Sequence, residues 1–403
     1  MLILYLLPFF SICVTIFSGD VMRIFKSKIF KAFISVFLAI AIIMLALFIS
    51  AVVAGFAHID NNIEYQNNHL DYLKNEFYVN YTPCDEQKLA DFDIQQAIAD
   101  GVKFNEVAFL GTHNSYQLLT TKPKRALMKA IEIISWGKVD YTKATFEMDT
   151  LTKQLEYGVR NLEIDIETSD DGENVGFIVT HTPIIDNVTS CYDFAKALEE
   201  IKLWSDNNPN HLPITILIEP KGKVLNINNM KDFSVEYANE LGETIKNVLG
   251  DTLLTPAQMM RDYANFKEMR DNDDWLTLGE TRGKVMVLMH DCDVTESYIS
   301  QDESIKSQAM FPMLRYDDRN ETYTSFVLNN DPENAVKQND ELVDECKLVV
   351  RTRADDYPTF SDERYENANK CGSQIITTDF PRRTKENGKH IYDFDGYMFQ
   401  LLK

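Results

Sequence analysis

The stretch NLEIDIE, from Asn161 to Glu167, alternates acidic and apolar side chains. Successive side chains of a β-strand point to opposite faces, so Glu163 and Asp165 would lie on the same face with Ile164 on the other. Two neighbouring carboxylates that face a protein interior are costly unless a cation or hydrogen-bond donors compensate them. The stretch therefore predicts a buried strand whose inward face carries acidic chemistry.

Similar short apolar runs recur along the chain, separated by longer stretches with helical periodicity such as 191–207 and 230–249. Buried strands that alternate with helices indicate βα units and a parallel sheet. Their number predicts an α/β fold, a (β/α)8 TIM-type barrel in which some units are irregular. An open doubly wound sheet is the alternative, but the sequence has no GxGxxG or GxxxxGK[ST] loop to support it. The predicted strands are 106–110, 161–167, 176–180, 213–219, 284–290, 348–353 and 373–378.

Polar side chains cluster at the ends of these predicted strands. His113 and Asn114 follow the first strand, and Glu219 ends the fourth. Because the carboxyl ends of the strands of a parallel barrel share one face, we expect these side chains to lie together there. Others at strand ends are Glu163, Asp165, His181, Arg351, Arg353 and Asp379.

Four of these residues offer oxygen ligands, namely Asn114, Glu163, Asp165 and Glu219. A set of oxygen donors of mixed type suits a hard cation, and Ca²⁺ tolerates irregular geometry better than Mg²⁺ does. The alternative interpretation is that Glu163 and Asp165 form salt bridges to Arg160 or to another arginine. The sequence thus predicts a calcium site and leaves an ion-pair network open.

Two histidines, His113 and His181, belong to the same predicted cluster. Imidazoles beside a metal site suit proton transfer at a phosphodiester, because one can accept a proton while the other donates one. The remaining histidines are interpreted as ordinary structural residues: His58, His69, His211, His290 and His390.

The N-terminal part of the chain predicts a membrane segment. Residues 32–57 contain no charged residue, and at about 1.5 Å per helical residue they are long enough to span a bilayer. Basic residues precede this run, so the rest of the chain is expected on the extracellular side, either anchored or released by cleavage of a signal sequence. These basic residues are Arg23, Lys26, Lys28 and Lys31. The predicted organisation is an apolar segment with its basic flank (1–31), the transmembrane helix (32–57), a stalk (58–97) and the barrel (98–403).

The chain has 403 residues and a formal net charge of −22. Nucleic-acid binding depends on basic surface that neutralises phosphates, so this class of function is excluded. The same charge should keep the folded part away from anionic lipid unless an anchor holds it there. No protein partner is inferred, and the only predicted partner is a phospholipid substrate at the membrane surface.

Several motifs, in order over roughly residues 100–385, resemble the X-region of the calcium-dependent phosphatidylinositol-specific phospholipases C. Separate motifs in the same order make this resemblance specific. The matching segments are LGTHNSYQ (110–117), QLEYGVRNLEID (154–165), THTP (180–183), PITILIE (213–219), TRGKVMVL (281–288), VRTRAD (350–355) and IITTDFP (375–381).

The resemblance implies that His113 and His181 are the catalytic residues. It implies attack of the inositol 2-hydroxyl on its own phosphate, with release of diacylglycerol and a cyclic inositol phosphate. His113 would stabilise charge on the phosphoryl group, and His181 would transfer protons. The implied calcium ligands are Asn114, Glu163, Asp165 and Glu219, and the implied phosphate or inositol contacts are Lys221, Arg351 and Arg353.

The chain departs from the family pattern in two places. Residues 285–289 lack the lysines that bind extra ring phosphates in the signalling relatives, which argues against a polyphosphorylated substrate. Residues 141–154 lack a histidine that closer relatives would carry. Two alternatives stay open, a glycerophosphodiester phosphodiesterase-like hydrolase and a catalytically silent exported barrel.

Overall fold

The structure is a computed structural model that describes residues 28–402 apart from 139, 146, 183–185, 224–228 and 382–390. Predictions that concern Arg23, Lys26, Pro183 and His390 lie outside the described residues. The strands are β1 Val107–Thr112, β2 Asn161–Asp170, β3 Val175–Val179, β4 Ile214–Pro220, β5 Met230–Lys231, β6 Val285–His290, β7 Phe311–Leu314, β8 Phe326–Leu328, β9 Val349–Arg353, β10 Ile375–Thr378 and β11 Phe399–Leu401.

Eight of these strands form a closed parallel barrel in the order β1-β2-β4-β6-β7-β8-β9-β10, with β10 returning to β1. The closure between β1 and β2 is short, because only Gly111 and Thr112 pair across it. A Cβ atom at Gly111 would lie 2.8 Å from side-chain atoms of Asn161 and Thr377, so glycine permits the close approach of the strands. The predicted TIM-type barrel is confirmed.

The helices surround the barrel and precede it. Asp193 accepts a hydrogen bond from the Lys196 N–H and so caps the helix that begins at Phe194, an interaction worth about 1 kcal/mol. The helices are α1 Lys28–Tyr72, α2 Ile94–Ala99, α3 Lys122–Ile134, α4 Leu151–Glu156, α5 Phe194–Asn207, α6 Val235–Leu249, α7 Pro256–Met260, α8 Phe266–Asp271, α9 Leu278–Thr281, α10 Thr295–Ser300, α11 Pro332–Asn339 and α12 Asp362–Lys370.

The apolar core has two layers, one on each side of the strands. Leu162, Ile164 and Ile166 of β2 pack outward with residues of α5. Since side chains alternate along a strand, Glu163 and Asp165 point into the barrel, as predicted from NLEIDIE. The lower interior is filled by a second cluster drawn from strands around the whole barrel, including Phe109, Leu217, Leu288, Phe311, Phe326, Val349 and Ile375.

The strand assignment from sequence was wrong in two respects. The predicted strand at 176–180 is β3, which runs antiparallel to β2 as a hairpin outside the barrel. The barrel strands β7 and β8 were not predicted, because at four and three residues they are too short to establish a period. The other six predicted strands are the remaining barrel strands, with ends that agree or are shifted by up to three residues.

Helix α1 contains the apolar run 32–57 and continues to Tyr72. By length and composition this helix can cross a membrane, because its most apolar window has a mean hydropathy of 3.1 and only 6% of that window is buried. A signal sequence near an N-terminus has the same length and composition.

The segment 58–97, predicted as a stalk, instead lies against the barrel. The Asn62 side chain donates to the Asn187 carbonyl at 2.7 Å, and Gln66 exchanges two hydrogen bonds with the Asp193 backbone at 2.9 and 2.8 Å. Asn62 and Gln66 of this segment thus pair with the barrel rather than with water, whereas polar neighbours such as Asn61, Glu64 and Asn68 are exposed.

Candidate active site

The upper end of the barrel, where the parallel strands have their carboxyl ends, carries three carboxylates in close contact. Glu163 and Asp165 are buried on β2, and Glu219 on β4 pairs directly across from Asp165 in the sheet. One oxygen from each of the three carboxylates lies within 4.8 Å of the other two. This arrangement results from the strand period of two on β2 together with the parallel register of β4.

Cationic side chains lie beside these carboxylates. The Lys221 Nζ atom is 2.9 Å from Asp165 Oδ2 and 2.5 Å from Glu219 Oε1, and the Arg351 guanidinium pairs with Glu163 across the barrel. Burial raises the pKa of Asp165 to about 6, although Lys221 opposes the shift. Burial also acts against ionisation of Glu163, but Arg351 and His113 together keep its pKa below the usual value.

Asn114 joins the same end of the barrel from the loop after β1. Its backbone adopts a left-handed conformation with φ of 48°, which asparagine tolerates better than most residues. The next residue, Ser115, donates its N–H to the Glu163 carbonyl at 2.9 Å. Tyr116 Oη lies 3.5 Å from the side-chain oxygen of Asn114, which is also buried. The four predicted ligands therefore lie at one end of the barrel.

These residues fit a calcium ion. The donors are all oxygens, from three carboxylates and one amide. Both carboxylate oxygens of Asp165 are buried, yet neither accepts a hydrogen bond of ordinary geometry. Lys221 balances part of this charge, and the remaining negative charge of three clustered carboxylates gives the site the chemistry of a hard-metal site.

His113 bridges the acidic cluster and a second carboxylate, that of Asp379. Its Nδ1 lies 2.8 Å from Oδ1 of Asp379, and its Nε2 lies 3.9 Å from Oε1 of Glu163. The carboxylate accepts a hydrogen bond from Nδ1–H and fixes the ring, which leaves Nε2 directed toward the acidic cluster.

Asp379 is itself held by several donors. Arg353 Nη2 lies 2.8 Å from its Oδ2, and the Tyr357 N–H donates to the same oxygen at 2.9 Å. Burial alone would raise the pKa of Asp379, but His113 and Arg353 hold it well below the usual value. The backbone N–H of Asp379 donates to Asp355 at 2.7 Å. Sequence reasoning noted the position of Asp379 at a strand end but gave no role to it or to Asp355.

His181 lies on the other side of the cluster and is less buried, with 43% of its side chain exposed. The antiparallel return of β3 brings it there, because the Thr180 N–H donates to the Asp165 carbonyl at 3.3 Å. Its Nδ1 lies 3.4 Å from Oδ2 of Asp186, and this contact raises the pKa of His181. The expectation that His181 ends a parallel barrel strand was wrong, although its neighbour Thr180 is hydrogen-bonded to Asp165.

The alternative ion-pair interpretation is correct for Glu163, which pairs with Arg351, but not for the predicted partner Arg160. Arg160 lies at the opposite end of the barrel and pairs with Glu86. Arg353 lies near the rim with contacts to Asp379 and Asp356. Carboxylates that could hold a metal ion, beside histidines that are paired with other carboxylates, suit hydrolysis or transfer at a phosphate ester.

Comparison with known families agrees with this chemistry. The family model for the Ca²⁺-dependent phosphoinositide phospholipases C matches residues 102–175 and 169–400, which is most of the chain. The chain belongs to this family. It is accordingly a phosphoric diester hydrolase, and calcium is its cofactor.

Two solved structures are similar to the chain at low sequence identity, and the first of them has the same fold. A calcium-dependent phosphoinositol-specific phospholipase C from a Gram-negative Pseudomonas species is 16% identical, with a TM-score of 0.52 over 80% of this chain and 100% of its own. A Ca²⁺-dependent phosphatidylinositol-specific phospholipase C from Streptomyces antibioticus is also 16% identical, with a TM-score of 0.49 over 69% of this chain and 95% of its own. No curated protein matches the chain significantly.

Proposed function

We propose that this enzyme cleaves phosphatidylinositol-type lipids into diacylglycerol and a cyclic inositol phosphate. The observation that supports this proposal best is the position of His113, which is clamped by Asp379 at 2.8 Å with its other nitrogen facing Glu163. A fixed imidazole beside a site for a divalent cation is the equipment that internal attack on a phosphodiester needs.

In the proposed reaction the inositol 2-hydroxyl attacks phosphorus and loses its proton. The bond from phosphorus to the glycerol oxygen breaks, and that oxygen takes up a proton to leave as diacylglycerol. Bound by Asn114, Glu163, Asp165 and Glu219, calcium would lower the pKa of the attacking hydroxyl and neutralise charge on the phosphoryl oxygens.

We assign the protein side of this chemistry to the two histidines. With both ring nitrogens carrying protons, His113 donates Nε2–H to the phosphoryl group and stabilises charge there, while its Nδ1–H donates to Asp379. His181 transfers protons at the rim, where Asp186 raises the pKa of its imidazole and so keeps it protonated to higher pH. The greater exposure of His181 suits exchange of a proton with substrate or solvent.

The three predicted substrate contacts receive different proposed roles. Lys221 and Arg353 are partly exposed at the rim, with side chains 21% and 18% accessible, so both can contact the phosphate or the inositol ring. Arg351 is 1% exposed and faces Glu163, so it acts on substrate only through that carboxylate.

We also propose that α1 is an uncleaved anchor and that the barrel works on the extracellular side of the membrane. Within the apolar run itself, the Gly55 carbonyl accepts a hydrogen bond from the Asn187 side chain at 3.1 Å and Ala51 is buried, contacts that a cleaved signal sequence would not need. The anchor compensates for the net charge of −22, which opposes approach to anionic lipid.

The test uses the full chain reconstituted in vesicles that contain phosphatidylinositol, with phosphatidylcholine vesicles as the substrate control. We expect phosphatidylinositol alone to be cleaved, with a cyclic inositol phosphate detected by phosphorus NMR, and EGTA to stop the reaction. His113→Ala should lose this cleavage, and its matched control is His211→Ala, a histidine at the opposite end of the barrel whose Nε2 lies 2.7 Å from Ser205 Oγ. Turnover in EGTA, or products without any cyclic phosphate, would contradict the proposal.

A further inference from the structure

Helix α3 and the turn after it carry an apolar patch on the outside of the barrel. Ile133 is 70% exposed, Ile134 is 54% exposed and Trp136 is 93% exposed. Single exposed apolar residues are common, but three large ones within four positions mark a contact surface.

The same segment is basic although the chain as a whole is acidic. Residues 122–138 hold five basic side chains and one acidic one in a chain of net charge −22, and of the five basic side chains only Lys124 is buried. Basic residues next to exposed isoleucine and tryptophan are the composition of helices that lie in the interface of a membrane. This local charge is complementary to anionic lipid, whereas the charge of the whole chain is not.

Three of the basic residues surround a cavity. Lys122, Arg125 and Lys129 line a space of about 460 Å³ whose wall includes Tyr357. The backbone N–H of Tyr357 donates to Asp379, the carboxylate that holds His113. The cavity therefore lies between α3 and the rim of the active site.

The packing of α3 against the apolar run of α1 is a second observation, and it does not depend on the composition of α3. The two helices pack along each other, and Ala51 of the apolar run is only 2% exposed. The Gly55 carbonyl accepts a hydrogen bond from the Asn187 side chain at 3.1 Å, and Lys124 contacts the oxygen of the same side chain. An element held against residues 51–55 lies at the depth where the spanning segment leaves the bilayer.

We propose that α3 and its turn are a membrane-docking surface. Ile133, Ile134 and Trp136 enter the outer leaflet of the anchoring membrane, and Lys122, Arg125 and Lys129 bind anionic lipid headgroups there. This inference rests on the anchor proposed above and extends it. The hydrogen bonds of Gly55, Asn62 and Gln66 orient the barrel relative to the anchor, and the contact on α3 adds a second point that holds the active-site rim toward the lipid.

Tryptophan fluorescence tests the docking without any use of activity. The other two tryptophans, Trp204 and Trp275, are buried in the barrel, so the signal lost in Trp136→Phe belongs to Trp136. In vesicles made with brominated phosphatidylcholine, we expect that signal to fall by about twofold or more relative to unbrominated vesicles, because an interfacial residue meets the acyl chains.

Unquenched Trp136 emission from protein that stays with the vesicles would overturn the docking and leave the anchor in place. Protein that does not sediment with the vesicles would overturn both. A chain that is quenched but does not cleave phosphatidylinositol would overturn the proposed substrate and support the docking.

A second measurement compares vesicles with a soluble substrate. For Ile133→Ser/Ile134→Ser, and separately for Lys122→Gln/Arg125→Gln/Lys129→Gln, we expect turnover of vesicle phosphatidylinositol to fall about tenfold. Turnover of soluble glycerophosphoinositol should stay at the wild-type level in both variants, which also reports correct folding. Equal losses on the two substrates, or no loss on vesicles, would overturn the proposal.

Discussion

The two ends of the barrel bury charge in opposite ways. At the lower end Arg160 Nε lies 3.0 Å from Glu86 Oε1, and Arg160 Nη1 donates to the carbonyls of Leu155 and Val159 at 2.9 and 2.7 Å. The Leu212 N–H donates to both oxygens of Glu86, at 3.0 and 2.8 Å. Each charged group at this end has several partners.

At the upper end Asp165 and Glu167 are fully buried, yet none of their carboxylate oxygens accepts a hydrogen bond of ordinary geometry. Lys221 and Arg351 supply charge nearby, but they do not complete the set of partners. Buried charges that are fully hydrogen-bonded support the fold, whereas buried carboxylates left short of partners indicate a place for a ligand. This difference distinguishes the structural ion pair Arg160–Glu86 from the candidate active site of the same barrel.

The largest effect is expected on turnover, when one histidine at each end of the barrel is replaced in turn. His113→Ala should lower turnover of phosphatidylinositol by about 10²- to 10⁴-fold, because a group that stabilises or transfers charge at the phosphate is lost. His211→Ala at the lower end should leave turnover per folded molecule nearly unchanged and should lower the midpoint of thermal unfolding. The measurement is kcat on reconstituted protein beside the unfolding curve of each variant. A fall in turnover for both variants, or for neither, would remove the functional distinction between the two ends.

The next largest effect is on stability. Arg160→Met leaves Glu86 buried without its counterion, and breaking such a pair costs about 3–5 kcal/mol. We expect this loss in the free energy of unfolding, measured by urea titration, with kcat of the folded fraction retained. A stability change below about 1 kcal/mol would place this pair with ordinary surface ion pairs.

Calcium should stabilise the variants of Arg351 and Arg160 to different extents. At a concentration about a hundred times its dissociation constant, calcium should stabilise the folded wild type by about 2.7 kcal/mol, since only the folded chain assembles the site. Arg351→Met removes the partner of Glu163, so calcium should stabilise this variant more than it stabilises the wild type. Arg160→Met should respond as the wild type does. Thermal unfolding with calcium, with magnesium as control, checks this, and an equal calcium shift in all three proteins would contradict it.

Much of the upper end was predictable because its residues follow the periods of strands. The alternation in NLEIDIE placed Glu163 and Asp165 inside the barrel, and the strand ends placed Asn114 and Glu219 beside them. The clamp between His113 and Asp379 joins residues 266 positions apart, and no local pattern specifies such a pair.

The antiparallel hairpin of β3 escaped prediction for a related reason. A strand has the same side-chain period in either direction, so its sequence does not reveal whether it pairs parallel or antiparallel. The contacts of 58–97 with the barrel escaped too, because a polar, Asn-rich segment looks the same whether its amides meet water or protein.

The smallest expected effect concerns pH and has opposite sign at the two ends. His211 at the lower end is buried, and burial lowers its pKa from 6.5 to about 3. Its neutral ring is fully paired, with Nε2 2.7 Å from Ser205 Oγ and Nδ1 2.6 Å from the Leu212 carbonyl. As the pH falls below 6.5, His211 becomes protonated in the unfolded chain. In the folded chain it stays neutral until the pH approaches about 3. Stability is therefore lost on acidification, by about 2 kcal/mol between pH 6.5 and pH 5.

His181 at the upper end behaves in the reverse way, because Asp186 raises its pKa in the folded chain. Its stabilising contribution is complete below pH 6.5 and is lost as the pH rises through the raised value. The measurement is the unfolding midpoint of the wild type, His211→Gln and His181→Gln from pH 5 to pH 8. Relative to the wild type, His211→Gln should lose less stability on acidification, whereas His181→Gln should lose less on alkalinisation. If both substitutions changed the pH dependence in the same direction, the two histidines would occupy electrostatically similar sites, and the contrast between the ends of the barrel would not extend to proton binding.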